Sequence, residues 1–297
     1  MTVLKSHISW CTGTLNLAVG CHKVSPGGQN CYAEQLVHRL WDRPFEDVVL
    51  HPERVKNIPK FKPSRNQDGQ LEPPMIFVNS MSDFYHPWIG TDRVDEFLDV
   101  FEQHPTKVFQ ILTKRPERMR KHLRDRYARR SVPDNLWFGP SVESNQLKGR
   151  LRMMRRLKEE IGDFCAFASV EPIIGPTDEL DFSGMDWILT GGESGPRCRP
   201  MEYRWLSDAH DEARRVGAAV HFKQWGAVKN NPLVRQRMFD AGVNQTTAWR
   251  QVVDEGLERQ PDEKGGATID GQVFHEKPAA FYRVMAQLNG GQAQLSV

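Results

Sequence analysis

The sequence predicts an α/β protein: a (βα) TIM-type barrel, complete or partial, followed by an irregular C-terminal extension. Two observations predict it. Short apolar runs rich in β-branched and aromatic residues alternate with helix-like stretches from residue 75 to residue 223, and a polar residue closes each run. Near-continuous apolar runs of this length suit strands buried on both faces, and their alternation with helices requires a parallel sheet with the helices outside it.

The runs lie at 75–80, 108–112, 136–141, 164–170, 187–190 and 219–223, with a first strand near 8–10. Helical stretches are expected at 92–104, 116–127, 147–160 and 202–216, and Gly162 and Gly217 stand where the last two should stop. The polar, proline-bearing stretch 60–74 reads as a surface loop. After Trp225-Gly226 the alternation fades. The barrel is therefore assigned to 1–226, and 227–297 to an irregular segment that caps it and ends in a Gly/Gln tail at 289–294.

Composition narrows the class. Apolar residues at 39% and charged residues at 26% describe a soluble globular chain rather than a disordered one. Forty Lys+Arg against 38 Asp+Glu leave a net charge of +2, which decides nothing about a nucleic-acid partner. No apolar run approaches the roughly 18 residues of a membrane span, and residues 1–7 lack the apolar core of a signal peptide. Five scattered cysteines do not make a disulfide framework. A cytoplasmic, membrane-free protein is expected.

The ends of the parallel strands should form the working face, because the βα loops converge there. Just past the runs stand Ser80, Ser82 and Asp83; Thr113, Lys114 and Arg115; Ser141 and Glu143; Ser169 and Glu171; Gly191, Gly192, Glu193 and Ser194; Lys223, Gln224 and Trp225. Acids at comparable depth thus face cations around one mouth, an arrangement suited to a polar, zwitterionic ligand and to perturbed pKa values. The two glycines allow close approach to the backbone, and Glu193 can accept from an ammonium or a ribose hydroxyl.

Before these ends comes a loop carrying Cys21 and Cys31 across a Ser-Pro-Gly-Gly turn, without the close Cys-x-x-Cys pair of most zinc and iron–sulfur sites. Trp10, Asn16, Gly20, Cys21, Ser25, Gly27, Cys31, Tyr32, Ala33 and Glu34 match a motif whose pattern is Gly-Cys-x-x-x-Ser-x-Gly-Cys-x-x-Cys-Tyr-Ala. Ser80-Met-Ser-Asp83, Leu112-Thr-Lys-Arg-Pro116, Ser141-Val-Glu143, Ser169-Val-Glu-Pro172, Gly191-Gly-Glu-Ser-Gly-Pro196, Arg199-Pro-Met201 and Phe222-Lys-Gln-Trp-Gly226 follow in order. On these residues the chain resembles the phage-associated three-Cys-motif protein family, itself similar to radical S-adenosylmethionine (SAM) barrels. The resemblance implies a [4Fe–4S] cluster, SAM, an electron donor and a 5′-deoxyadenosyl radical acting on a nucleotide or nucleic-acid substrate. It implies that Cys21 and Cys31 are metal ligands, that Ser80, Asp83, Lys114, Arg115, Gly191, Gly192, Glu193 and Ser194 contact the cofactor, and that Glu143, Glu171, Lys223 and Gln224 are catalytic. The family's central cysteine falls on Gly28. Cys11 can supply the third thiolate, or Cys198 can; alternatively the cluster is absent and the barrel binds a nucleotide or a partner. A zinc loop of Cys21, Cys31 and His22 is a further alternative.

Residues 114–130 carry nine Lys/Arg and residues 148–158 six, so a basic stripe for phosphates is expected to compete with simple solvated helix faces. Met153-Met154 reads as core contact, Cys165 as a buried thiol and His221 as a packed strand residue, while His86 lies near the Asp83 loop. His38, His51 and His104 show no metal spacing. Walker A, Gly-x-Ser-x-Gly and His-Glu-x-x-His sequences do not occur.

Overall fold

The computed structural model describes residues 8–41 and 43–290; residues 1–7 and the part of the Gly/Gln tail from 291 onward lie outside them. Seven parallel strands run in chain order: β1 Gly13–Leu15, β2 Met75–Val78, β3 Val108–Thr113, β4 Leu136–Pro140, β5 Phe167–Val170, β6 Trp187–Thr190 and β7 Ala219–Phe222. β1 to β4 form one sheet, with Gly13 opposite Ile76 and Phe109 opposite Leu136, and β5 to β7 form a second. Parallel bridges Phe138–Ala166 and Ser141–Ser169 join β4 to β5, so the two sheets make one continuous layer.

Two-sided burial, read from the apolar runs, has a direct counterpart. Met75 and Phe77, Val108, Trp137, Phe167, Trp187 and Leu189 share an inner core. Their strand neighbours Ile76, Phe109, Phe138, Ala168 and Ile188 pack outward in a second core with Leu98, Leu123, Leu157 and Leu206 of the surrounding helices. Those helices are α2 Thr91–Glu102, α3 Pro116–Arg126, α4 Gly149–Ile161 and α5 Tyr203–Arg215; before them α1 Tyr32–Leu40 follows the cysteine loop. The inner core also shows that the layer curls. Trp10 lies 4.7 Å from the ring of Phe77 on β2 and 6.4 Å from that of Trp187 on β6. In a flat sheet those strands would stand about 19 Å apart, at some 4.8 Å per strand.

The curl does not close by strand pairing among the described residues. The outer edge of β7 is taken instead by residues 274–276: Phe222 N–H donates to Phe274 O at 2.8 Å, and Glu276 N–H donates to Val220 O at 3.0 Å.

Two expectations need correction. The first strand is 13–15 rather than 8–10, because Trp10 turns into the interior as a plug and the chain pairs with β2 only beyond it. The segment after 226 is not wholly irregular. It contains α6 Pro232–Ala241, α7 Gln245–Asp254 and α8 Ala279–Leu288. Asn231 and Asn244 accept from Leu233 N–H and Thr247 N–H to cap the first two. α8 places Ala280, Phe281 and Val284 against the inner core.

One side chain couples β1 to β2 at the working end. Asn79, at φ 59°, accepts from Leu17 N–H at 2.8 Å and Ala18 N–H at 3.1 Å, and its own N–H donates to Leu15 O at 2.9 Å. Asn79→Ala strands two buried N–H groups and keeps a left-handed backbone without the amide that favours it. It is expected to lower stability by about 2–4 kcal/mol, seen as a lower urea midpoint at unchanged slope.

Candidate functional site

The loops leaving β2 to β7 converge as the sequence predicts, and buried carboxylates organise them. Asp83 accepts from Thr113 Oγ1 at 2.7 Å and Tyr85 N–H at 2.9 Å through one oxygen, and from Lys114 N–H at 2.9 Å and Arg115 Nη1 at 3.0 Å through the other. Glu143, with no exposed surface, pairs with Lys114 and accepts from Ser25 Oγ at 2.7 Å. Glu171 pairs with Lys223 at 3.2 Å and accepts from Trp10 Nε1 at 3.2 Å. Glu193 holds Arg199 at 2.5 Å and accepts from Asn30 Nδ2 at 2.9 Å. Burial alone would raise the Glu193 pKa, but the hydrogen bonds from Arg199 and Asn30 outweigh it and hold the carboxyl below its ordinary value.

Three of these acids therefore reach the N-terminal segment, through Ser25, Trp10 and Asn30. Arg199 adds a bond to Pro26 O at 3.1 Å, and Tyr32 O–H donates to Ser80 O at 2.6 Å. Direct polar contacts hold the cysteine loop over the strand ends.

Two adjoining cavities lie beneath it. The larger, about 190 Å³, is lined by the rings of Trp10, Tyr32 and Phe77 and by the charged groups of Lys114, Glu171 and Lys223. Cys31, Gly192, Glu193, Ser194 and Gln224 also reach it. The smaller, about 150 Å³, is lined by Cys21, Ser80 and Asp83 and shares Cys31, Tyr32, Phe77, Leu112 and Lys114 with the first. Gly192 needs its hydrogen: a Cβ there would lie 2.2 Å from Trp225 O. Gly191 packs on the Glu171 carboxylate without lining either cavity.

Other expected site residues are placed elsewhere. Glu143 lies outside both cavities, as the counter-charge of Lys114. Arg115 braces the loop, donating to Asp83 and, at 3.3 Å, to His22 O. Cys11 packs at the inner core, where the next residue, Thr12, donates its N–H to Met75 O at the opposite end of β2 from Asp83. Cys198 lies in a turn, its N–H donating to Gly195 O at 3.1 Å. His22 Nδ1 meets His86 Nε2 at 2.9 Å, so that ring is engaged away from Cys31. Burial, Arg115 and His22 push His86 down to about 4. Sequence reading matched Arg199 in the Arg199-Pro-Met201 motif without giving it a role, and did not single out Asn30, whose only signal was adjacency to Cys31.

The profile described as Protein of unknown function (DUF5131) matches residues 5–278. The chain belongs to this family. No curated protein matches its sequence. Among solved structures, a cysteine-to-serine variant of spore photoproduct lyase has a TM-score of 0.50 at 15% identity, covering 75% of this chain and 79% of that one. Spore photoproduct lyase complexed with dinucleoside spore photoproduct gives 0.46 at 14% identity, over 72% and 64% of the two chains. A doubly substituted variant with bound AdoMet and dinucleoside spore photoproduct gives 0.46 at 16%, over 64% and 58%. The DUF5131 chain thus spans less than two thirds of the last two. The likeness shows a shared α/β fold with a parallel sheet.

The donor set of this DUF5131 chain does not fit the [4Fe–4S] cluster that the resemblance implies. Among the described residues no three His, Cys, Asp or Glu side chains are grouped to hold a metal ion. Of the five cysteines only Cys21 and Cys31 reach the cavities, two thiols where the cluster takes three. Burial together with the Asp83 charge pushes the Cys21 thiol up despite Arg115 Nη1 at 4.0 Å. Gly28 supplies no donor, yet a Cβ there would meet only Lys23 carbons at 3.4 Å. Anaerobic reconstitution is expected to leave the natural chain with iron and sulfide far below one equivalent, and Gly28→Cys to raise both; iron analysis and visible absorption measure it.

Proposed function

We propose that the mouth binds a nucleoside-bearing zwitterion of the S-adenosylmethionine class, as a cluster-free barrel. The observation that carries this reading is the Lys223–Glu171 pair, 3.2 Å apart, in the wall of a cavity also lined by aromatic rings. An ion pair facing a cavity offers a carboxylate partner and an ammonium partner together, so a zwitterion can exchange its own charges into the pair without leaving either protein charge uncompensated. Trp10, Tyr32 and Phe77 supply the apolar contact a nucleoside needs. Together the cavities hold about 340 Å³, near the lower end of the ~300–1,000 Å³ of small-molecule sites.

In this reading Lys223 takes the ligand's carboxylate, Glu171 its ammonium, and Glu193 with Gly192 faces the ribose. Ser80, Asp83, Lys114 and Ser194 border the remaining space, and Gln224 closes the wall. The radical reaction and electron donor implied by the three-Cys-motif resemblance need a cluster that two thiols and a glycine do not hold, so no step is routed through one. Glu143 is a positioning residue here, acting through Lys114.

Calorimetric titration tests the reading. S-adenosylmethionine and S-adenosylhomocysteine are expected to bind, adenosine and methionine more weakly. Lys223→Ala or Glu171→Gln should each weaken the zwitterions by roughly 10- to 100-fold, the worth of one charge-assisted hydrogen bond, with little effect on adenosine. Absence of heat with all four ligands, or equal losses for adenosine and the zwitterions, overturns it.

A further inference from the structure

The groove between α2 and α3, away from the mouth, carries a second site. Of the nine basic residues at 114–130, most are already matched: Arg115 with Asp83, Arg120 with Glu160, Arg124 with Asp125, Arg126 with Asp95, Asp99 and Glu102, and Arg130 with Glu102. The run is chiefly an ion-pair network. Two members differ in a cavity of about 650 Å³ that is also lined by Asp95 and Asp125, which are held by Arg126 and Arg124: among the described residues, neither Arg118 nor Lys121 has a carboxylate within ion-pair distance. Arg118 is spread instead over three backbone carbonyls, donating to Tyr85 O, His86 O and Ile89 O. Burial lowers its pKa against the opposing pull of Tyr85 and Asp83. In the same wall Arg126 is mostly buried and its Nε–H has no acceptor.

The carbonyls that hold Arg118 belong to the segment bearing Trp88. That indole is 61% exposed and meets the stacked rings of His22 and His86 only edge-on, at 4.9 and 5.6 Å. An exposed aromatic platform on the segment that holds Arg118, with two cations outside the ion-pair network, is a combination that holds single-stranded nucleic acid, one part stacking on a base and the other taking phosphates.

We infer that the α2–α3 groove is a track for single-stranded nucleic acid, with phosphates at Arg118 and Lys121 and a base on Trp88. The inference is independent of the ligand proposed for the mouth. A fluorescein-labelled single-stranded oligodeoxynucleotide, read by anisotropy across salt concentrations with the full chain, tests it. With two phosphates contacted, log Kobs should fall against log salt with a slope of about −1.4, and Lys121→Ala should bring the slope to about −0.7. Lys121→Glu and Trp88→Ala should each weaken binding by about fivefold or more. Both positions are exposed, so the variants should keep the melting temperature of the natural chain. Absence of binding, a flat salt dependence, equal affinity of the variants, or equal affinity for duplex each overturns the inference, as does competition by inorganic phosphate alone at low millimolar concentration, which would mark a simple anion pocket. Because the readout is the oligonucleotide and not heat from a mouth ligand, failure of one reading leaves the other standing.

Discussion

Three carboxylates, Glu143 and Glu193 buried and Glu171 partly so, each neutralised by a cation and each accepting from the N-terminal segment, are the constraint on which the site depends. Glu143, Glu171 and Glu193 leave successive strands β4, β5 and β6, with Lys114, Lys223 and Arg199 as counter-charges. Ser25, Trp10 and Asn30 donate to them. Leaving one of these acids buried without its cation would cost about 3–5 kcal/mol, far more than an exposed pair contributes. The loop and the strand ends are thereby made mutually dependent: the loop supplies donors that help satisfy the acids, and the acids fix where Cys21 and Cys31 lie.

The same constraint explains which side chains are available to a ligand. Asp83 spends both oxygens on the start of α3 and on the Asp83 loop itself, so its charge serves architecture. Lys223 and Glu171 are matched to each other at the cavity wall. In the function proposed above, a dipolar ligand enters that pairing by exchange, one end of the ligand replacing each partner.

Much of the architecture was legible because a strand buried on two faces must be apolar almost throughout. Runs such as Trp187-Ile-Leu-Thr190 and Met75-Ile-Phe-Val78 have few alternatives. The first strand was misplaced for a physical reason. Ile8-Ser-Trp10 carries more apolar surface than Gly13-Thr-Leu15, but Trp10 earns its burial as an interior plug that also donates to Glu171, whereas a three-residue strand leaves almost no pattern. The C-terminal helices escaped notice because α6 and α7 make only a small core of their own around Val234, Ala248 and Val252. Phe239 on α6 stays exposed, so no clean apolar stripe marks that helix. The charge run at 114–130 was legible as composition but not as surface, since the acids that match it lie mostly on α2 and α4, far away in sequence.

Two adjacent glycines show how geometry separates requirement from accident. A Cβ on Gly27 would fall 2.6 Å from the Glu143 carboxyl carbon, so the acid that secures the loop demands a hydrogen there. Gly28, next along, faces only Lys23 at ordinary contact distance, and its backbone is not in the left-handed region. Nothing in the packing requires glycine at 28. The glycine at 28 is thus not a by-product of how the loop closes over the strand ends. A thiol at that place would be compatible with the same fold and would join Cys21 and Cys31 on the loop, beside a pocket built from ion pairs and aromatic rings.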